Sequence, residues 1–156
     1  NPAIDGGSTQ KGHEKEIEVL SWSHGFTQPT SAVRSAAGGG TIEKADHADF
    51  SFTKYMDSAT DDLLKYCWTG KHIGKATFTC YRADGNAAGA QYLQIEMESV
   101  VVSSYATGGG GGDLPTESIS LGYSKVTYNY KGQDKASGAD GKQQVVYADL
   151  KTGAIA

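Results

Sequence analysis

The chain has 156 residues and a formal charge of −4, a length that suits one domain spanning 1–156 with a real core. Its acidic residues are scattered, so the basic stripe that nucleic-acid binding needs is missing, and its apolar runs are too short to cross a bilayer, so no membrane insertion is expected. Gly (21) and Tyr (9) are frequent and Pro (3) scarce, with no collagen-like period; β-formers separated by Gly-rich turns predict a mainly β fold.

Residues 1–13 read as turn material, and no charged-then-apolar leader opens the chain. The start at Asn1, without Met, leaves upstream targeting information open. Residues 14–25 alternate as a strand, with Ile17, Val19, Ser21 and Ser23 on one face and Glu18, Leu20, Trp22 and His24 on the other. Neither face is cleanly apolar or polar, whereas an antiparallel strand usually shows one of each. Mixed faces predict cover from another copy of the chain. Residues 30–41, centred on Gly38, Gly39 and Gly40, form a long loop of small residues.

A second strand is expected over 47–55, with Phe50 and Phe52 inward. Ser58 to Asp61 fits a capping box, opening a helix with Leu63, Leu64, Cys67 and Trp68 as its apolar stripe and Gly70 as its stop. Cys67 and Cys80 do not make a disulfide framework and are read as reduced core or near-core residues. Residues 75–82 alternate, with Ala76, Phe78 and Cys80 on one face, and 84–89 turn the chain. Residues 91–105 return as a long strand with Leu93, Ile95 and Met97 inward, until Val100, Val101 and Val102 break the parity near Ser99. A bulge or a change of sheet is expected there. After the run Gly108–Gly112, residues 118–130 read as one strand whose pattern slips. Residues 132–142 read as a polar loop, 143–150 as the last strand, and 151–156 as a frayed tail. The sum is a compact β-barrel of two packed antiparallel sheets with one short helix.

No catalytic constellation emerges. His13, His24, His47 and His72 lack zinc spacing. Ser23 and His24 point to opposite faces, so neither serves the other as nucleophile or base, and no G-x-S-x-G elbow is present. Glu96 and Glu98 share a face with Gln94, which describes a solvated strand better than a glycosidase pair. The glycines at 108–112 lack the Gly-Lys-Thr/Ser of a phosphate loop. No cofactor, metal or enzymatic activity is expected. A closed ring of subunits would instead cover sheet edges and mixed faces. Ser21, Ser23, Gln94, Glu96 and Glu98 would suit its polar inner wall.

Several strings, in this order and spacing, resemble the haemolysin-coregulated protein (Hcp) family of type VI secretion systems: E14-K-E-I-E-V-L-S-W-S-H-G, F50-S-F-T-K-Y-M-D-S-A-T, L-x-K-x-C-W-T-G-K-H, V101-V-S-S-Y-A-T-G-G-G-G-G and T116-E-S-I-S-L-G-Y-S-K-V-T-Y-N-Y. The resemblance covers roughly residues 11–150. It implies a fold like phage tail-tube proteins and a non-catalytic subunit of a hexameric ring. Such rings stack into the inner tube of a contractile apparatus, are expelled when the sheath contracts, and can carry small effectors in the lumen. The implied partners are further copies of itself, the spike protein, the contractile sheath and effector cargo. The implied location is the cytoplasm of a Gram-negative bacterium during assembly, then the exterior. The family's usual first strand lies before this chain's start, so a truncated or divergent start is expected. Ser23 matches a lumen-facing position, and Ser21, Glu96 and Glu98 are assigned with it as lumen- or cargo-facing residues. Ser35, Gly38, Gly39 and Gly40, and Gly108, Gly110 and Gly112, fall in loops expected to reach a neighbouring subunit or ring. Ordering five glycines is entropically costly, which predicts ring stacking weaker than ring closure. The competing expectation is a non-catalytic cell-surface or periplasmic β-sandwich binding module for carbohydrate or protein, using Tyr platforms.

Overall fold

A computed structural model of the chain describes residues 3–29, 44–83, 85, 89–133 and 140–156. Its elements are β1 (Ser21–Ser23), β2 (Phe26–Thr27), β3 (Asp46–His47), β4 (Phe50–Tyr55), α1 (Thr60–Thr69), β5 (Ile73–Arg82), β6 (Ala90–Gly108), β7 (Thr116–Gly122), β8 (Lys125–Gln133) and β9 (Asp140–Asp149). The long β6 is the spine. Its first half lies between β5 and β8, with β9 beyond β8; its second half pairs with β7, followed by β4 and β1. Two antiparallel sheets therefore share one strand and curl around a common core, while β2 and β3 form a separate two-stranded ribbon.

The parity break expected near Ser99 is real. Ser99 takes a φ of +52°, a left-handed conformation unusual for a side chain other than Gly or Asn. Glu98 and Val100, two apart, would otherwise share a face; instead Glu98 is exposed and Val100 is fully buried. A second register shift follows between Val102 and Ser104. The two irregularities let one strand leave the first pair of neighbours and join the second, which is how a barrel turns a corner. Phe50, Phe52, Val102, Ile119 and Leu121 from one sheet meet Ile95, Met97 and Val126 from the other, and Ala59, just before α1, and Leu63 of α1 join them. Burying each large side chain stabilises the fold by about 1.5–3 kcal/mol relative to exposure.

The structure corrects several expectations. The strand expected over 14–25 is hydrogen-bonded as β1 only over Ser21–Ser23. Before it, residues 6–8 bond back to 15 and 16, and Ile4, Ile17 and Val19 pack on the core, so this segment spends its backbone groups on itself. The capping box is not made. The Ser58 hydroxyl donates to the Asp5 carbonyl at 2.8 Å, and Asp57 takes over the helix start by accepting from the Ala59 amide at 2.9 Å. Gly70 does end the helix, at φ +63° with its amide donating to the Tyr66 carbonyl. The stripe, however, runs through Leu63, Tyr66 and Cys67, spaced three and four apart, and Trp68 is 79% exposed. Residues 118–130 are two strands, not one: β7 and β8 belong to different sheets and meet at Tyr123–Ser124. The strands also run into the loop expected over 132–142. The tail does not fray: Tyr147 and Ala156 exchange backbone bonds, and Ile155 bridges Ala148.

Candidate functional site

With Trp22, Phe50, Phe52, Ile119 and Leu121 turned inward, strand alternation turns their neighbours outward. The register then lines up two rows across the sheet. One runs Ser23, Ser51, Ser120, Ser104; the other runs Ser21, Thr53, Ser118, Ala106. Hydroxyls link the strands: Ser21 Oγ lies 2.6 Å from Thr53 Oγ1, and Ser51 Oγ 2.9 Å from Ser120 Oγ. The outward face of this sheet is thus small and hydroxylated, with no charged side chain from its own strands; at its margin the Asp49 carboxylate accepts from Ser103 Oγ at 2.5 Å. Ser21 and Ser23 were visible from the sequence. Ser51, Thr53, Ser104, Ser118 and Ser120 were not singled out, although the alternations S-W-S, S-F-T and S-I-S carry the signal.

The inward side of the same sheet holds its two charged residues, Lys54 and Glu117, cross-strand partners that are fully buried. Lys54 Nζ pairs with Glu117 Oε2, lies 2.8 Å from Asp57 Oδ1 and donates to the Tyr55 carbonyl at 3.1 Å. The Tyr105 hydroxyl donates to Glu117 Oε1. Burial, followed by the bond to Glu117 and its charge, holds the Tyr105 phenol up at about 12. Each charge is multiply bonded, which is what a buried ion needs in order not to unfold its surroundings.

Glu96 and Glu98 stand on the other sheet. Glu96 lies 3.0 Å from Lys75 Nζ, and Glu98 4.0 Å from Lys125 Nζ, across from β5 and β8. The structure therefore brings Ser21 and Ser23 together, and Glu96 and Glu98 together, on different sheets. Gly108 closes β6; Gly110 and Gly112 lie beyond it, with Gly112 at φ +101° and open space where side chains would stand. Ser35, Gly38, Gly39 and Gly40 lie outside the described residues.

Among the described residues, no three His, Cys, Asp or Glu side chains gather as metal ligands would, and no helix is long and apolar enough to cross a membrane. Cys67 and Cys80 are free thiols, each half-buried. Both ring nitrogens of His24 engage tyrosines, Tyr128 through Nδ1 and Tyr123 through Nε2, each at 2.5 Å; Ser23 points away to the hydroxyl face. A groove of about 1100 Å³ runs between residues 13–22 and β5 over Trp22, Phe50 and Phe78.

Comparisons with known proteins agree with this architecture. The family profile described as "Type VI secretion system effector, Hcp" matches residues 1–130. Protein hcp1 of Pseudomonas aeruginosa is 41% identical over 145 residues, covering 92% of this chain and 87% of that protein. A solved type six secretion system protein superposes with a TM-score of 0.86 at 29% identity, over 98% of this chain and 94% of that one. Hcp1 from Salmonella typhimurium superposes with a TM-score of 0.78 at 27% identity, over 99% and 93% respectively. On sequence and fold alike, this chain belongs to the Hcp family of type VI secretion proteins.

Proposed function

We propose that the hydroxyl face of Ser21, Ser23, Ser51, Thr53, Ser104, Ser118 and Ser120 is the wall this subunit presents to the lumen of a tube. As a member of its family, the chain is a structural, non-catalytic protein. Its hexameric rings stack into the inner tube of the type VI apparatus. It is assembled in the cytoplasm and secreted through that apparatus. The observation that carries the lumenal assignment is a sheet face whose strands contribute no charged side chain, with the Asp49 carboxylate held by Ser103 at its margin, in a chain whose other sheet carries charges outside. Hydroxyls keep a channel wetted, small side chains leave its bore open, and an uncharged wall neither traps nor repels cargo by its net charge. Glu96 and Glu98 then belong to a wall away from the bore.

The loop after β6 supports a second part of the proposal. Tyr55 and Leu114 are exposed beside it, and Met56 bonds Pro115 through its backbone; together with Gly110 and Gly112 they form a rim that would meet the next ring. Further partners of the assembly, namely the spike protein, the sheath and small effectors, follow from the same reading. A direct test is Ser23→Cys in a Cys67→Ala/Cys80→Ala background, labelled with a maleimide gold cluster and imaged by electron microscopy. Gold in the central hole of the ring is expected; gold on the outer rim would overturn the assignment. Ser23→Arg should likewise leave rings intact while reducing co-purification of a co-expressed effector, and unchanged retention would remove Ser23 from the cargo-facing set.

A further inference from the structure

The β2–β3 ribbon meets the barrel at a cluster of rings centred on His24, with Phe26 against Tyr128 and His47 against Tyr123, whose hydroxyl lies 3.4 Å from His47 Nδ1. His24 stands just before β2. Its ring stacks on Tyr128 at 5.7 Å between centroids and meets Phe26 and Phe50 edge-on. Phe26 is also edge-on to His47, its partner in the ribbon. The Tyr123 hydroxyl, at the corner between β7 and β8, donates to the Ala48 carbonyl at 3.2 Å. Ala48 in turn donates its amide to the Gly25 carbonyl at 3.0 Å.

A neutral imidazole satisfies this set. With its own proton on the Ala48 carbonyl, Tyr123 accepts from His24 Nε2–H, and the Tyr128 hydroxyl donates to a bare Nδ1. A second proton, on Nδ1, would force the Tyr128 hydroxyl to turn from donor to acceptor and place a charge in a pocket walled by rings. The ionisable groups facing His24 are His47 of β3, Asp49 between β3 and β4, Tyr123 at the corner and Tyr128 of β8. Burial dominates and pushes the His24 imidazolium below its ordinary range, and His47 adds to this; the Ala48 backbone and Asp49 pull the other way.

We propose that His24, held between Tyr123 and Tyr128, is a pH-sensitive clasp that keeps the β2–β3 ribbon on the barrel at neutral pH and releases it in mildly acidic solution. The sign follows from linkage. A histidine whose acidity is strengthened by folding favours the closed form fully above its unfolded value of about 6.5 and loses that contribution as pH falls through the window below it.

The test is hydrogen exchange on the full chain, following the Ala48 amide from pH 8 to pH 5 and correcting for the intrinsic rate. Its protection factor should fall by up to about tenfold per pH unit below about 6.5. His24→Gln, which stays neutral, should lose that slope, and His47→Gln should keep it. A flat wild-type profile would overturn the clasp, as would a slope that survives in His24→Gln or disappears in His47→Gln. If His24→Gln fails to fold, nuclear magnetic resonance of the wild-type His24 ring decides: its protonation and the loss of Ala48 protection should share one onset, and protonation without loss of protection overturns the proposal.

Discussion

The two sheets of this barrel treat charge in opposite ways. The sheet of β1, β4, β7 and the second half of β6 has Lys54 and Glu117 as its only charged residues, and it buries both. Its outer face is mostly serine, threonine and small residues, with Tyr55 and the Asp49 carboxylate at its margins. The sheet of β5, the first half of β6, β8 and β9 packs Ile95, Met97 and Val126 inward and carries Lys75, Glu96, Glu98 and Lys125 on the opposite side of its strands. The second arrangement is what solvent favours, because a charge outside costs no desolvation. The first puts ions where desolvation is expensive, and it leaves an outer wall to which its own strands contribute no charged side chain.

The sharpest way to break this contrast is to remove one of the buried charges. Lys54→Met leaves Glu117 and Asp57 facing each other without a cation and should destabilise the subunit by about 3–5 kcal/mol in urea unfolding. Lys54→Met/Glu117→Leu should recover most of that loss. If it does not, the pair contributes more than its own neutrality.

A milder perturbation acts through Tyr105. Its phenol is raised to about 12 in the fold against about 10 in the unfolded chain. Its contribution is therefore complete below pH 10 and disappears as pH rises through about 12. Tyr105→Phe should weaken the dependence of stability on pH in that window, and tyrosinate absorbance should show one fewer late-titrating phenol in the variant than in the wild type, where Tyr123 and Tyr128 are raised as well.

The smallest effect is expected outside the second sheet. The Lys75–Glu96 pair is half exposed, so Glu96→Gln should change stability by less than about 1 kcal/mol, with the difference vanishing in high salt. An effect comparable to that of Lys54→Met would mean that the two sheets do not differ as described.

How much of this was legible varies with the range of the interaction responsible. Period-two alternation found Phe50 and Phe52, and Ile95 and Met97, because facing in or out is a local property of a strand. The parity break at Ser99 was legible for the same reason. The capping box failed because Ser58 found a better acceptor in Asp5, 53 positions away in sequence. Trp68 was misplaced because a helix only ten residues long is covered along one narrow stripe, and sequence does not say where the covering sheet stops. The clasp was hidden altogether: His24 was visible at a strand end, but its partners lie 99 and 104 positions away.

Sequence alone determined the class of the chain, its strand faces, the helix stop at Gly70 and its family, since each is written in short-range pattern or in the order of strings. Only the tertiary structure decided that the serines of four strand segments form one surface, that Lys54 and Glu117 neutralise each other beneath it, and that His24 is held between two tyrosines. Those facts depend on cross-strand register and on the point where β6 changes sheets. Pairings of that kind join residues far apart in the chain, and no local preference encodes them.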